Sequence, residues 1–258
     1  MKFDLSHLKG ICICCEKKGE KSSKEHIFPK WLLKKTNTYD NPITWIGLDR
    51  KIPGKDCVIP ICEECNNELG IQLENPVSQI FERIENGLGF NDHEAELLVR
   101  WMWKMNGMFH WMVHPRATYS DGNCTLKERA LSGIIDSRDR ISIAVSLIKD
   151  SSEDFVDHPL GLDVLPRFSN VLTAGVFLNI AIIVFYTVFR ELIPNDYTIY
   201  TLSSVPLLMN PNYKIYPKCG FTTGSDAVGV TFKTANDKLL LAHEILVLEA
   251  LRNKEVDI

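Results

Sequence analysis

Two Cys-x-x-Cys pairs constrain the fold of this chain more than any other feature of its sequence. Cys12 and Cys15 form the first pair, Cys62 and Cys65 form the second, and 46 residues separate Cys15 from Cys62. Each pair places two thiols on one turn, and two pairs together complete the four-sulfur shell of a structural zinc site. The alternative is four unrelated cysteines. We predict that these four side chains bind one structural Zn²⁺.

The cellular compartment decides whether clustered cysteines bind metal or form disulfides. The first 25 residues contain no continuous apolar run, so we expect no secretion signal and predict a cytoplasmic protein. In a reducing compartment, clustered cysteines usually bind metal. Two further cysteines lie close by: Cys14 is an alternative for one of the four ligands, and Cys57 is a nearby competitor.

Charge is distributed unevenly along the chain. The net charge is −4, yet residues 1–35 carry nine lysines against four acidic residues, a local balance of +5 that leaves −9 for the remainder. A basic arm on an acidic body fits a local contact with phosphate groups. A solvated, lysine-rich loop explains the same pattern.

Residues 171–189 form the one segment that needs a membrane test. They carry no charge, and Arg167 and Arg190 flank them. The length is just enough for a bilayer span. Because Thr173, Asn179 and Thr187 interrupt the run and β-branched residues are frequent, we favour a buried strand, a strand pair or a buried helix. No membrane association is expected.

The remaining patterns predict an α+β fold with three parts. A small zinc-stapled module occupies residues 1–76, a helical connector residues 77–115, and a larger mixed α/β domain of unknown role residues 116–258. Residues 1–76 have little regular periodicity, as expected of a module too small to fold without metal. We predict strands near residues 57–61, 140–148, 197–202 and 228–233, and helices near residues 77–88, 92–112 and 237–252.

A second motif lies between the cysteine pairs. Residues 24–29 read Lys-Glu-His-Ile-Phe-Pro, and Asn66 directly follows Cys65. The order Cys-x-x-Cys, acidic-His-Ile-x-Pro, Cys-x-x-Cys-Asn resembles the HNH, or ββα-metal, endonucleases, and most of all their zinc-stapled McrA-like and resolvase-like branch. The resemblance covers residues 10–76, less than a third of the chain.

This resemblance implies a role for each matching residue. His26 corresponds to the general base that takes a proton from the attacking water, a task that suits a group titrating near neutral pH. Glu25 and Asn66 correspond to the ligands of a catalytic metal, and their oxygen atoms suit Mg²⁺ or Mn²⁺. Two departures stand out: Glu25 replaces the usual Asp, and the usual middle Asn aligns near Asp56 or Cys57.

The implied function is metal-dependent hydrolysis of phosphodiester bonds in DNA, with RNA left open as a substrate. Lys24, Lys30, Lys34 and Lys35 are the predicted contacts to the nucleic acid. Small family members with an appended domain often resemble bacterial restriction or phage-defence effectors. The first alternative is a non-catalytic, zinc-containing protein that binds nucleic acid, and the second is a membrane-associated effector built around residues 171–189. A homo-oligomer and a protein partner both remain open.

Overall fold

The protein has the α+β fold that the sequence predicts. The structure is a computed structural model, and it describes residues 10–18, 21–45, 50–113, 124–132, 138–150, 160–163, 171–204 and 213–255. The predicted boundary between the connector and the C-terminal domain, at residues 115–116, lies outside these ranges. His114 and His158 also lie outside them.

The N-terminal part is built around one antiparallel strand pair. Strand β1 (Ser22–His26) pairs with β4 (Val58–Cys62), so that Ser22 lies opposite Cys62 and His26 lies opposite Val58. The predicted strand at residues 57–61 is therefore confirmed within one residue. The elements between them are α1 (Lys30–Lys35), β2 (Pro42–Trp45), β3 (Arg50–Pro53) and a 3₁₀ turn (Gly54–Asp56).

Helices follow β4 without a break. Helix α2 (Glu63–Leu69) continues through a π-helical turn (Gly70–Glu74) into α3 (Asn75–Glu85). Gly87 has a φ of +73°, a conformation that glycine adopts without strain, and the chain turns there. Asn91 and Glu94 then cap each other's backbone amides at the start of α4 (Asp92–Val113).

The C-terminal part contains one mixed sheet in the order β10-β5-β8-β7-β6. The long strand β5 pairs with β8 along one edge; along its other edge it pairs first with β9 and then with β10. The strands are β5 (Ile141–Asp150), β6 (Leu160–Asp163), β7 (Thr173–Phe177), β8 (Ile180–Tyr186), β9 (Thr198–Thr201) and β10 (Lys218–Thr223).

The sequence of the apolar segment 171–189 allowed a buried strand, a strand pair or a buried helix, and the structure shows a buried strand pair. Strands β7 and β8 pair antiparallel, and the chain reverses at Leu178, which has a φ of +54°. Every residue of β7 is buried. No helix in the described ranges is both long enough and apolar enough to cross a bilayer.

The prediction of a strand at residues 228–233 was wrong. These residues belong to helix α5 (Gly224–Lys233), which starts at Thr223, whose hydroxyl accepts a hydrogen bond from the Asp226 amide. Ala227 and Thr231, four residues apart, form the buried side. The prediction failed because six residues are too few to distinguish the two-residue period of a strand from the 3.6-residue period of a helix. A π-helical turn (Thr234–Leu240) then leads into α6 (Leu241–Glu255), the predicted C-terminal helix.

Alternate residues of the central strands face two buried clusters. On β8, Ile182 and Val184 belong to the larger cluster, and Ile183 and Phe185 belong to the smaller one. The larger cluster continues through α4 and α3 into the N-terminal part, and it includes all four paired cysteines except the half-buried Cys15, which packs against it. The smaller cluster lies on the α5 side of the sheet.

Candidate metal centre and the adjacent polar cluster

The two cysteine pairs are held by similar local structures. In the first, the Cys15 amide points to the Cys12 sulfur at 3.5 Å, and Glu16 closes the turn with a φ of +60°. In the second, Cys62 caps α2, and its sulfur accepts from the Cys65 amide at 3.5 Å. Each pair thus directs two sulfurs to one point. The pairing of β1 with β4 supports the second turn.

The structure brings the four predicted ligands together. The sulfurs of Cys12, Cys15, Cys62 and Cys65 all lie within 4.8 Å of one another, and those of Cys15 and Cys62 are 4.0 Å apart. A tetrahedral zinc with Zn–S bonds of about 2.3 Å requires sulfurs separated by about 3.8 Å. This cluster therefore has the composition and spacing to bind a zinc ion.

Three of the four thiols resist ionisation in the absence of a cation. Burial raises the pKa of Cys12 to about 12. A hydrogen bond with Cys14, followed by burial, raises the pKa of Cys65 further. Burial also opposes ionisation of Cys62, but hydrogen bonds from Cys65 outweigh it and lower the Cys62 pKa. A metal ion is the usual means of holding several buried thiolates together.

The two competing cysteines lie outside the cluster of four. Cys14 is fully buried and hydrogen bonds to Cys65. The Cys57 thiol points to the Pro53 carbonyl oxygen at 3.5 Å. Cys14 therefore lies beside the candidate centre as a neighbour of one ligand.

Glu25 lies in a buried cluster with a lysine that sequence reasoning missed. Lys104, in the middle of α4, is completely buried, and its Nζ donates to Glu25 Oε1 at 2.5 Å. The same ammonium contacts Glu74 on the π-helical turn. Three elements, β1, the π-helical turn and α4, therefore meet at one ammonium group. The sequence signal was a lone lysine within the Trp- and Met-rich core of a helix.

The two carboxyl groups in this cluster differ in how readily they ionise. Burial opposes ionisation of Glu25, but the Lys104 ammonium outweighs it and lowers the Glu25 pKa. Burial dominates at Glu74 and raises its pKa to about 7. For Lys104, the two carboxylates outweigh burial and keep its pKa above the ordinary value. The cluster thus contains an ionised Glu25, a charged Lys104 and a Glu74 that titrates near neutral pH.

His26 ends β1 and lies next to an aromatic ring. It is buried, and its imidazole centroid is 6.0 Å from the ring centroid of Tyr39. Burial, followed by the positive charge of Lys30, lowers the His26 pKa. The imidazole is therefore neutral at physiological pH, the form that can accept a proton.

Asn66 approaches the same strand from α2. Its Nδ2 donates to the Ser23 hydroxyl at 3.1 Å. Ser23 and Glu25 are two residues apart on β1 and share one face of the strand. The structure therefore places Asn66 and Glu25 on the same side of β1, with His26 as the next residue along.

The four lysines predicted to contact nucleic acid differ in whether they form an ion pair within the protein. Lys24, Lys30 and Lys34 are exposed, and Lys30 and Lys34 lie one turn apart on α1. Lys35 forms an ion pair with Glu85 of α3. Three of the four predicted lysines thus present their ammonium groups to solvent near the end of β1.

Comparisons with protein-family models, with curated proteins and with solved structures found no match for this chain.

Proposed function

We propose that the protein is an HNH-type nuclease that hydrolyses phosphodiester bonds in DNA. The observation that supports this proposal best is the order β1, β4, α2 around the four-cysteine cluster, with His26 at the end of β1 and Asn66 in the middle of α2. This is the ββα arrangement that the resemblance implies. Reduced thiols persist in the cytoplasm, which we propose as the compartment.

His26 is the proposed general base. Its neutral imidazole takes a proton from a water molecule, whose oxygen attacks the phosphorus and forms a new P–O bond. The bond from phosphorus to the sugar oxygen on the opposite side breaks, and that oxygen takes a proton from solvent. Burial keeps the imidazole neutral, as this role requires.

The exposed lysines are the proposed phosphate contacts. Lys30 and Lys34 lie on one side of α1, and Lys24 precedes the Glu25-His26 pair. Ammonium groups so placed neutralise backbone phosphates without reading base sequence. The same contacts serve DNA and RNA, so the substrate is assigned to DNA on the family resemblance alone.

Mg²⁺ or Mn²⁺ belongs to this proposal as an activity requirement, but Glu25 as arranged does not fit the role of its ligand. Glu25 Oε1 already accepts from the Lys104 ammonium at 2.5 Å. A divalent ion bound to Glu25 would lie beside that buried ammonium, and the two cations repel each other. We therefore assign no step of the reaction to an ion at Glu25.

A non-catalytic zinc protein that binds nucleic acid is the second candidate, and the contact between Lys104 and Glu25 favours it. The carboxylate that the family resemblance assigns to metal serves here to neutralise a buried lysine. The zinc cluster and the exposed lysines would serve a binding protein equally well.

One assay separates the two candidates. Purified protein is incubated with supercoiled plasmid, single-stranded DNA and RNA in the presence of Mg²⁺, Mn²⁺ or EDTA. A nuclease cuts at least one of the three in a metal-dependent manner, and the His26→Ala variant binds the same nucleic acid but does not cut it. Binding without cutting by the unmodified protein under all conditions would establish the second candidate.

A further inference from the structure

Helix α6 exposes an unusual amount of apolar surface. It holds six of the eleven large apolar residues that are exposed in the described part of the chain, each 37% to 56% accessible. They are Leu241, Ile245, Leu246, Val247, Leu248 and Leu251. Soluble monomers rarely leave large contiguous apolar patches uncovered, and such patches mark interaction surfaces.

One side of α6 is already packed against the protein. His243 is 9% exposed, and its ring stacks on Tyr186 with centroids 5.8 Å apart and planes 4° from parallel. Ala242 packs against the smaller buried cluster. Leu241, Ile245 and Leu248 follow one another at spacings of four and three residues, so they form a stripe on the side opposite His243. That stripe faces away from the rest of the described structure.

The charges beside this stripe are arranged symmetrically about Leu248. Glu244 and Arg252 are both exposed, and each lies four residues from Leu248, on the N-terminal and C-terminal side respectively. If two copies of α6 pair antiparallel across Leu248, Glu244 of each copy lies at the level of Arg252 of the other. The same surface is then complementary to itself, as a two-fold interface requires.

We propose that the protein forms a homodimer in which two α6 helices pair antiparallel across Leu248, with Ile245 of each copy at the level of Leu251 of the other. The opposed charges of Glu244 and Arg252 set the orientation of the pair. A lipid surface fits this helix less well, because membrane-surface helices carry a Lys- and Arg-rich polar face. The exposed face of α6 instead mixes acidic and basic residues and carries aliphatic side chains.

Sedimentation equilibrium of the full-length protein tests this proposal. The unmodified protein is expected at twice the chain mass of 29.4 kDa. The Leu248→Glu variant is expected to be monomeric, because it places two carboxylates face to face in an apolar seam. Val188→Glu, at an apolar site that is 74% exposed and lies outside α6, is the matched control and is expected to stay dimeric.

Charge reversal gives a second, independent test. Glu244→Arg places arginine opposite arginine and is expected to raise the dimer dissociation constant by about tenfold or more. The double variant Glu244→Arg/Arg252→Glu restores opposite charges and is expected to recover most of that loss. Rescue of this kind is specific to an antiparallel self-interface. The charge-reversal test remains informative even if the Leu248→Glu variant fails to fold.

Three outcomes would overturn the proposal. The first is an unmodified protein that stays monomeric at about 100 µM, a concentration at which specific homodimers are ordinarily associated. The second is a dimer that both α6 variants leave unchanged. The third is a monomer that binds vesicles of anionic phospholipid through α6, which would assign the stripe to a membrane surface.

Discussion

Lys104 donates to Glu25 across 2.5 Å, joining the middle of helix α4 to the end of strand β1, and neither group has appreciable contact with solvent. Each residue belongs to a different part of the sequence, 79 positions apart. The contact ties the Glu25-His26 pair to the helical core. It also changes the expected behaviour of Glu25, because a residue that neutralises a buried charge affects stability before it affects activity.

The first prediction concerns this buried lysine. Lys104→Met leaves two carboxylates buried without their cation, and it is expected to lower the free energy of unfolding by about 3–5 kcal/mol. Lys35→Met is the control, since it breaks a more exposed ion pair with Glu85 and is expected to cost about 1 kcal/mol or less. Urea denaturation measures both. An equal loss of unfolding free energy in the two variants would show that the buried cluster contributes no more to stability than the exposed ion pair.

The second prediction concerns the pH dependence of stability. Glu74 has a folded-state pKa of about 7, well above the ordinary carboxyl value, because burial disfavours its charge. Between about pH 4.5 and 7 the folded state therefore binds more protons than the unfolded state, and the free energy of unfolding falls as pH rises. Glu74→Gln is expected to flatten this dependence. The measurement is the urea midpoint of both proteins at half-unit pH steps, and identical profiles would contradict the assignment.

The third prediction concerns zinc. The protein is expected to contain about one zinc per chain, and Cys62→Ser is expected to lose the metal and to unfold the region around β1, β4 and α2. Cys14→Ser is the control: because Cys14 lies outside the four-sulfur cluster, it should retain the zinc. Elemental analysis and circular dichroism provide the measurements. A folded, reduced protein without zinc would sink the prediction.

The fourth prediction concerns His26. His26→Ala is expected to reduce cleavage by about 100-fold or more, the range that a positioned base ordinarily contributes, with zinc content and nucleic-acid binding intact. His93→Ala, an exposed histidine on α4, is the control and should cut like the unmodified protein. Plasmid nicking rates measure the effect. Cleavage by His26→Ala at the parental rate would remove His26 from the mechanism.

The fifth prediction compares two glycines in the C-terminal part. A Cβ on Gly220 would lie 1.9 Å from the Asp196 carbonyl oxygen, so Gly220→Ala must move backbone and is expected to cost about 3 kcal/mol or more. Gly229 lies inside α5 with open space around it, so Gly229→Ala is expected to stabilise the protein by about 0.5–1 kcal/mol. Thermal denaturation compares the two, and the same sign for both would contradict this account.

The sequence by itself determined the features that depend on short spacings. The two Cys-x-x-Cys pairs identified the four clustered cysteines because each pair places two thiols on a single turn. The apolar periodicity of α3 and the Asn91–Glu94 cap are local in the same sense, so both were predictable. The strand assignment at residues 228–233 failed where the local pattern suits two periods equally, and only the cap at Thr223 and the packing of α5 on the sheet decide it.

Tertiary structure alone decided the surroundings of Glu25. In the sequence Lys104 is one charged residue among many, and only the folded structure shows that it is completely buried and paired with Glu25. The same holds for Glu74, whose pKa is set by burial that no sequence window reports. Spacing fixes which residues share a turn, but the desolvation of a charge depends on every element packed around it, and those contacts come from distant parts of the chain.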